Sequence, residues 1–227
     1  MRDLRFSLSL SSIGPLRLGD EAASLESAGC AELHMPVADG SFVPYFGFDA
    51  RHVEAVKAAS SLPVHVHAMV ENPAAHLEKF LAAGADAATV HVESGGHLQS
   101  ALTAIRESGA SPGIAIAPHT PLTRLDYLLV DVDRIVLCAA EPGFPRGPII
   151  ASALERVRIL RENLDYRRLP VRIQVWGPLE PIQAARHGAA GAAGVVLTLD
   201  PDADEYTEAG RRLAVFKETA EAEAPLA

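Results

Sequence analysis

The sequence predicts a single-domain α/β fold over residues 1–227, a (β/α)8 barrel of the TIM-barrel class, on three observations. Eight apolar, strand-like runs alternate with eight helix-like runs at a spacing of roughly 20 to 35 residues, the period of strand–helix units whose strands pair in parallel. Helix exits recur as Ala28-Gly29-Cys30, Ala83-Gly84-Ala85 and His187-Gly188-Ala189, each feeding a strand. The core material is aliphatic, with 48% hydrophobic residues but only 5% aromatic ones, which suits parallel strands covered by helices. Eight units favour closure over an open doubly wound sheet.

Arg5 to Ser11 alternates apolar and hydroxyl residues, so it predicts a strand with Ser7, Ser9 and Ser11 on one face. Gly14-Pro15 ends it, and Leu18 to Ser27 has helical spacing closed by Gly29. Ala31 to Val37, too short for a helix and stopped by Asp39-Gly40, predicts the second strand. His34 stands near its carboxyl end, and Pro36 is the next position on the same face. Asp49 caps a helix to about Ser60. Leu62 to Met69 is the third strand, with His65 and His67 on one face, and Ala74 to Ala83 is the helix after it. Ala88 to Glu93 is the fourth strand, carrying His91 and Glu93 together, with a helix from Gly95-Gly96 to Ser108. Ile114 to Ala117 and a short helix around Leu122 to Leu129 make the fifth unit. Arg134 to Ala139, the turn Glu141-Pro142-Gly143-Phe144 and a helix from Ile149 to Leu164 make the sixth. Val171 to Trp176 with a helix from Glu180 to His187 is the seventh. Ala193 to Leu199 is the eighth strand, the last helix starts at Asp204 or Glu205 and ends at Glu218, and the tail from about 219 is expected to fray.

A formal net charge of −9 with no basic cluster argues against a nucleic-acid partner. No apolar run reaches membrane-spanning length, so no membrane partner is expected. Cys30 and Cys138 lack metal-motif spacing and read as buried thiols in a reducing compartment. Met1-Arg2-Asp3 opens into a strand pattern rather than a signal peptide, and the cytoplasm is the expected location.

A barrel collects Ser9, His34, His65, His67, His91, Glu93, His119 and Glu141 at the carboxyl ends of its strands, where such folds keep their chemistry. Any one histidine is ordinarily a hydrogen-bonded or solvent-facing group, but five converging on one mouth point to function. His34, His65 and His67 could supply three imidazoles to a metal. Residues two apart on a strand lie about 7 Å apart along it, however, so the deeper ring would have to reach upward. Gly143, Gly177 and the run from Gly194 to Thr198 fall where barrels cradle phosphate with backbone N–H groups, although plain turn glycine is the simpler reading.

Taken together, SLSLSS, HMPVADGSFVP, LPVHVHAMVENP, AGADAATVHVE, APHTPL, EPGF and VWGPL, in that order from about Phe6 to Leu199, resemble the ribulose-phosphate 3-epimerase family. The resemblance implies a homo-oligomeric (β/α)8 barrel that inverts carbon 3 of a ketopentose 5-phosphate. Two aspartates pass the proton, and with two histidines they hold a divalent metal such as zinc, iron or manganese. It carries His34 and His67 over as the metal histidines, Ser9 and Met69 as pocket residues, and Gly143, Phe144 and Gly177 as parts of the substrate and phosphate loops.

The sequence departs from that pattern where the chemistry sits. The two aspartates fall on Pro36 and Trp176, the asparagine before Pro-Gly-Phe is Glu141, and the following glycine pair is Pro145-Arg146. The phosphate-binding Gly-Ser is Thr198-Leu199, and His65 replaces an aspartate. Neither proline nor tryptophan relays a proton or binds a metal. The expected activity is therefore an isomerase-, epimerase- or lyase-type proton abstraction on a sugar phosphate or related polyhydroxylated anion, without the two-aspartate mechanism. Glu141, His67 and His34 are the candidate catalytic groups, Glu93 a further candidate base, and His34, His67 and His65 the candidate metal ligands. Ser9, Met69, Gly143, Phe144, Arg146, Trp176, Gly177 and Thr198 are the candidate substrate contacts. A conventional epimerase with a rearranged site and a catalytically silent barrel serving as a binding or assembly partner are the alternatives.

Overall fold

Strand side chains alternate between two faces, so closing eight strands sends one set inward and the other toward the helices. The computed structural model, which describes residues 4–144, 147–198 and 209–222, has eight strands. They are β1 (Arg5–Ser9), β2 (Leu33–Ala38), β3 (Val64–Met69), β4 (Ala87–His91), β5 (Ser111–Ile116), β6 (Arg134–Cys138), β7 (Arg172–Gly177) and β8 (Gly194–Leu197). They pair in parallel in chain order, and β8 closes on β1. Outside lie α1 (Leu18–Ser27), α2 (Ala50–Ala59), α3 (Leu77–Ala82), α4 (Leu98–Glu107), α5 (Ala153–Tyr166), α6 (Pro181–Ala189) and α7 (Ala209–Ala222). Among the described residues no helix is long and apolar enough to cross a membrane.

The main core lies between sheet and helices, where Leu8, Leu33, Val66, Val90, Ile114, Leu137, Val175 and Val195 are fully buried. The opposite parity fills the barrel with Ser7, Ser9, His34, His65, His67, Thr89, His91 and Arg134, with a small apolar group of Ala115, Val136, Cys138, Trp176 and Val196 on the β5–β8 side. Helix starts follow local chemistry. Asp49 accepts from the N–H groups of Arg51 and His52, and Glu180 and Gln183 form a reciprocal cap ahead of α6.

Several expectations change in detail. Ser11 leaves the strand, because Leu10–Ser12 forms a 3-10 turn. The connection from β5 to β6 holds a 3-10 turn, Leu122–Leu125, in place of the expected α-helix. Gly29 and Gly84 take the left-handed conformation at helix exits, with φ of 68° and 97°, but Gly188 lies inside α6 and the exit there is Gly191, at φ 109°. The last helix runs to Ala222 with Ala220 buried, so residues 219–222 are helical rather than frayed. Its expected start at Asp204 or Glu205, and the tail beyond 222, lie outside the described residues.

Pro36 sits within β2, a strand with neighbours on both sides, where a missing N–H should break a ladder. The N–H of Leu33 donates to Pro63 on the β3 side, so by alternation Pro36 turns its backbone toward β1. After Ser9, β1 has already left the sheet. The segment after β2 fills the gap: Phe48 N–H donates to Pro36 O at 3.1 Å and Gly47 N–H to Ala38 O at 3.0 Å.

Candidate functional site

The barrel floor is charged. Arg134 Nη1 donates to both carboxylate oxygens of Glu32, at 2.9 and 2.8 Å, and Gln174 Nε2 donates to Oε1 at 2.6 Å. Burial alone would raise the Glu32 carboxyl, but His65 and Arg134 outweigh it and hold it well below the usual carboxylate range. His65 belongs to this layer, with Nε2 2.7 Å from Thr89 Oγ1 and Nδ1 3.3 Å from Glu32 Oε1.

Above the floor runs a line of polar contacts. Ser11 Oγ lies 2.8 Å from Ser9 Oγ, Ser9 Oγ 3.2 Å from His34 Nδ1, and His34 Nε2 2.9 Å from His67 Nδ1. His67 Nε2 then lies 2.9 Å from His91 Nε2, and His91 Nδ1 2.9 Å from Glu93 Oε2. Burial would raise the Glu93 carboxyl, yet the hydrogen bonds from His91, Thr120 and the Ala117 N–H hold it at about 2. Burial, with neighbouring imidazoles adding to it, drives His34 and His67 well below the ordinary histidine range. One arrangement with a single proton per ring satisfies the whole line. Glu93 only accepts, so His91 donates from Nδ1, His67 from Nε2 and His34 from Nε2, leaving His34 Nδ1 to accept from Ser9.

The inward positions that face His34 and His67 hold Pro36 and Trp176, which offer no ligand atom. The His34–His67 pair therefore lacks the two carboxylates that the family pattern sets beside it, and two imidazoles alone make a poor divalent site. His65 does not complete it, because its nitrogens face Thr89 and Glu32. What converges instead is His67, His91 and Cys138, all buried, with ligand atoms within 4.8 Å of one another. Cys138 is the free, buried thiol expected, and it also faces these two rings, which its sequence spacing did not show. The signal available was parity, which aims Cys138 inward at the level where β6 pairs with Trp176.

The mouth is built by loops. Phe42 lies over His91, ring centroids 4.8 Å apart, and Met69 is fully buried with Ala38 and Val43 beneath Phe42 and Tyr45. Gly143, at φ 89°, lets the loop after β6 press against Val43 and Pro44, where a Cβ would come within 3.0 Å of each. Phe144 is exposed, and Arg146 lies outside the described residues. Trp176 fills the interior beside His67, edge to face at 6.1 Å. Gly177 accepts from the Thr198 N–H at 3.3 Å. Glu141 Oε2 lies 3.2 Å from the Nε2 of exposed His119, but in a geometry that leaves this oxygen without a hydrogen bond. Trp176 Nε1 and Thr198 Oγ1 are buried atoms that also lack a partner.

A profile of the Ribulose-phosphate 3 epimerase family matches residues 5–199. The ribulose-phosphate 3-epimerase of Synechocystis sp. is 36% identical over 182 residues, 79% of each chain. The chloroplastic ribulose-5-phosphate-3-epimerase of Arabidopsis thaliana is 32% identical over 196 residues, 86% of this chain and 70% of that one. Among solved structures, a tryptophan synthase α-subunit mutant from Pyrococcus furiosus superposes over 96% of this chain and 97% of its own with a TM-score of 0.71. At 18% identity it speaks for the barrel alone.

Proposed function

The chain belongs to the ribulose-phosphate 3-epimerase family, and from that premise we propose that its mouth takes a sugar phosphate or related polyhydroxylated anion and moves a proton on a carbon next to the carbonyl by a route other than a pair of aspartates. The observation that carries this reading is the set of three unpartnered polar atoms, Glu141 Oε2, Trp176 Nε1 and Thr198 Oγ1, on the β6–β8 side of the mouth. A buried polar atom without a partner costs about 1–3 kcal/mol, which hydroxyl and carbonyl groups of a ligand would recover.

In this reading Glu141 is the general base, since it follows β6 at the carboxyl end of the barrel and its Oε2, paired with exposed His119, is left without a hydrogen bond. Trp176 Nε1 donates to oxygen of the substrate, and Thr198 with Gly177 contacts its far end. Met69 and Phe42 wall off water on the opposite side. His34 and His67 act as supports rather than bases, being tied to each other and to Ser9.

The test is a panel of ketose and aldose phosphates incubated in deuterium oxide and followed by proton NMR. We expect deuterium uptake beside the carbonyl of at least one of them, reduced about 100-fold or more in Glu141→Gln. Ribulose 5-phosphate turnover that ignores Glu141→Gln would overturn the assignment, and no uptake on any member would favour a silent barrel.

A further inference from the structure

We propose that the barrel binds one soft divalent cation, zinc in character, through His67 Nε2, His91 Nε2 and Cys138 Sγ. The inference does not depend on the activity proposed above, because it concerns donors that meet inside the barrel whatever the mouth binds.

Three strands deliver the set. His67 lies in β3, and His91 and Cys138 end β4 and β6, all on the inward parity, and each is at most 1% exposed. Zinc–nitrogen and zinc–sulfur bonds of about 2.0–2.3 Å put tetrahedral ligand atoms roughly 3.3–3.6 Å apart. One ligand atom of each residue already lies within 4.8 Å of the others, and the two Nε2 atoms, 2.9 Å apart and facing each other, have to part and turn toward a shared ion. Two imidazoles and a thiolate form a donor set that favours zinc over manganese or magnesium, and three protein ligands leave a tetrahedral ion one position for a small oxygen ligand.

The surrounding contacts hold both rings for this role. His91 presents Nδ1 to Glu93 at 2.9 Å, the carboxylate–histidine pairing that fixes a metal-binding tautomer and leaves the Nε2 lone pair facing inward. His67 presents Nδ1 to His34, which in turn reaches Ser9. With an ion bound, His67 donates from Nδ1 to His34 Nε2, and His34 donates from Nδ1 to Ser9. The imidazole protons thus reverse direction along the line without changing in number. The proton lost is the one on Cys138, so uptake of one zinc releases about one proton. The site is also distinct from the expected one: of its three donors only His67 is shared with the His34–His67 pair.

Cobalt(II) titration of the purified, metal-stripped full chain tests this directly. We expect uptake of one equivalent with a thiolate-to-cobalt charge-transfer band in the near ultraviolet, displaced by zinc. His91→Gln should weaken binding at least about 10-fold, and Cys138→Ala should abolish the band while circular dichroism shows a retained fold. Cobalt bound without a thiolate band, a band that survives Cys138→Ala, or no stoichiometric uptake would each overturn the proposal. The wild-type spectrum decides even if a variant fails to fold.

Discussion

Glu32 shows what one interior side chain can hold together. Its carboxylate is met by Arg134, Gln174 and His65, groups from three other strands, so it ties β2's approach to β3, β6 and β7 across the barrel. Removing one member of a buried pair leaves the other charge uncompensated. Glu32→Ala should therefore cost about 3–5 kcal/mol in urea unfolding. Replacing Glu32 and Arg134 together by methionine should cost clearly less than the sum of the two single changes. Strict additivity would show that the contact is not coupled. The sequence made this layer only partly legible. Period-two alternation put His65 and His67 on one face and the barrel added His34, but neither showed which rings would meet. That depends on side chains reaching across to other strands, and it sends His65 down to Glu32 and Thr89 while His91 joins His67.

Strands and helices were more legible than their ends. Caps at Asp49 and Glu180 follow from short-range chemistry, and α1 spans the residues its spacing predicts. Exits depend on where packing stops a helix, which is why Gly191 rather than Gly188 ends the α6 connection, and why Arg168, at φ 55°, does so after α5. The segment after β2 has a sharper requirement. Its hydrogen bonds to Pro36 and Ala38 bring Gly47 so close that an added Cβ would lie 2.5 Å from Ala38 N and from Pro36 O. Gly47→Ala should therefore destabilise the protein by about 1–3 kcal/mol in urea unfolding, as overpacking does. It should also raise hydrogen exchange at the amide of Phe48. Wild-type protection there would mean that the segment accommodates a side chain by another path.

Across the whole molecule, the eight-unit repeat made the closed parallel barrel legible, because closure follows from counting units rather than from any single contact. It also sets the acid response. The Glu32 carboxyl is held below its unfolded value, so its contribution to stability is complete above about pH 4.3 and is lost progressively as pH falls below that. Unfolding free energy measured through Trp176, the one tryptophan in the chain, should fall from pH 5 to pH 3, and Glu32→Gln should flatten that decline. An equally steep decline in the variant would move the origin of acid sensitivity elsewhere. The Glu32–Arg134–Gln174 layer has a further consequence for traffic. These paired side chains fill the lower barrel, so in the proposed activity reactant and product would share the rim at the strands' carboxyl ends, and an analogue of either should block the other.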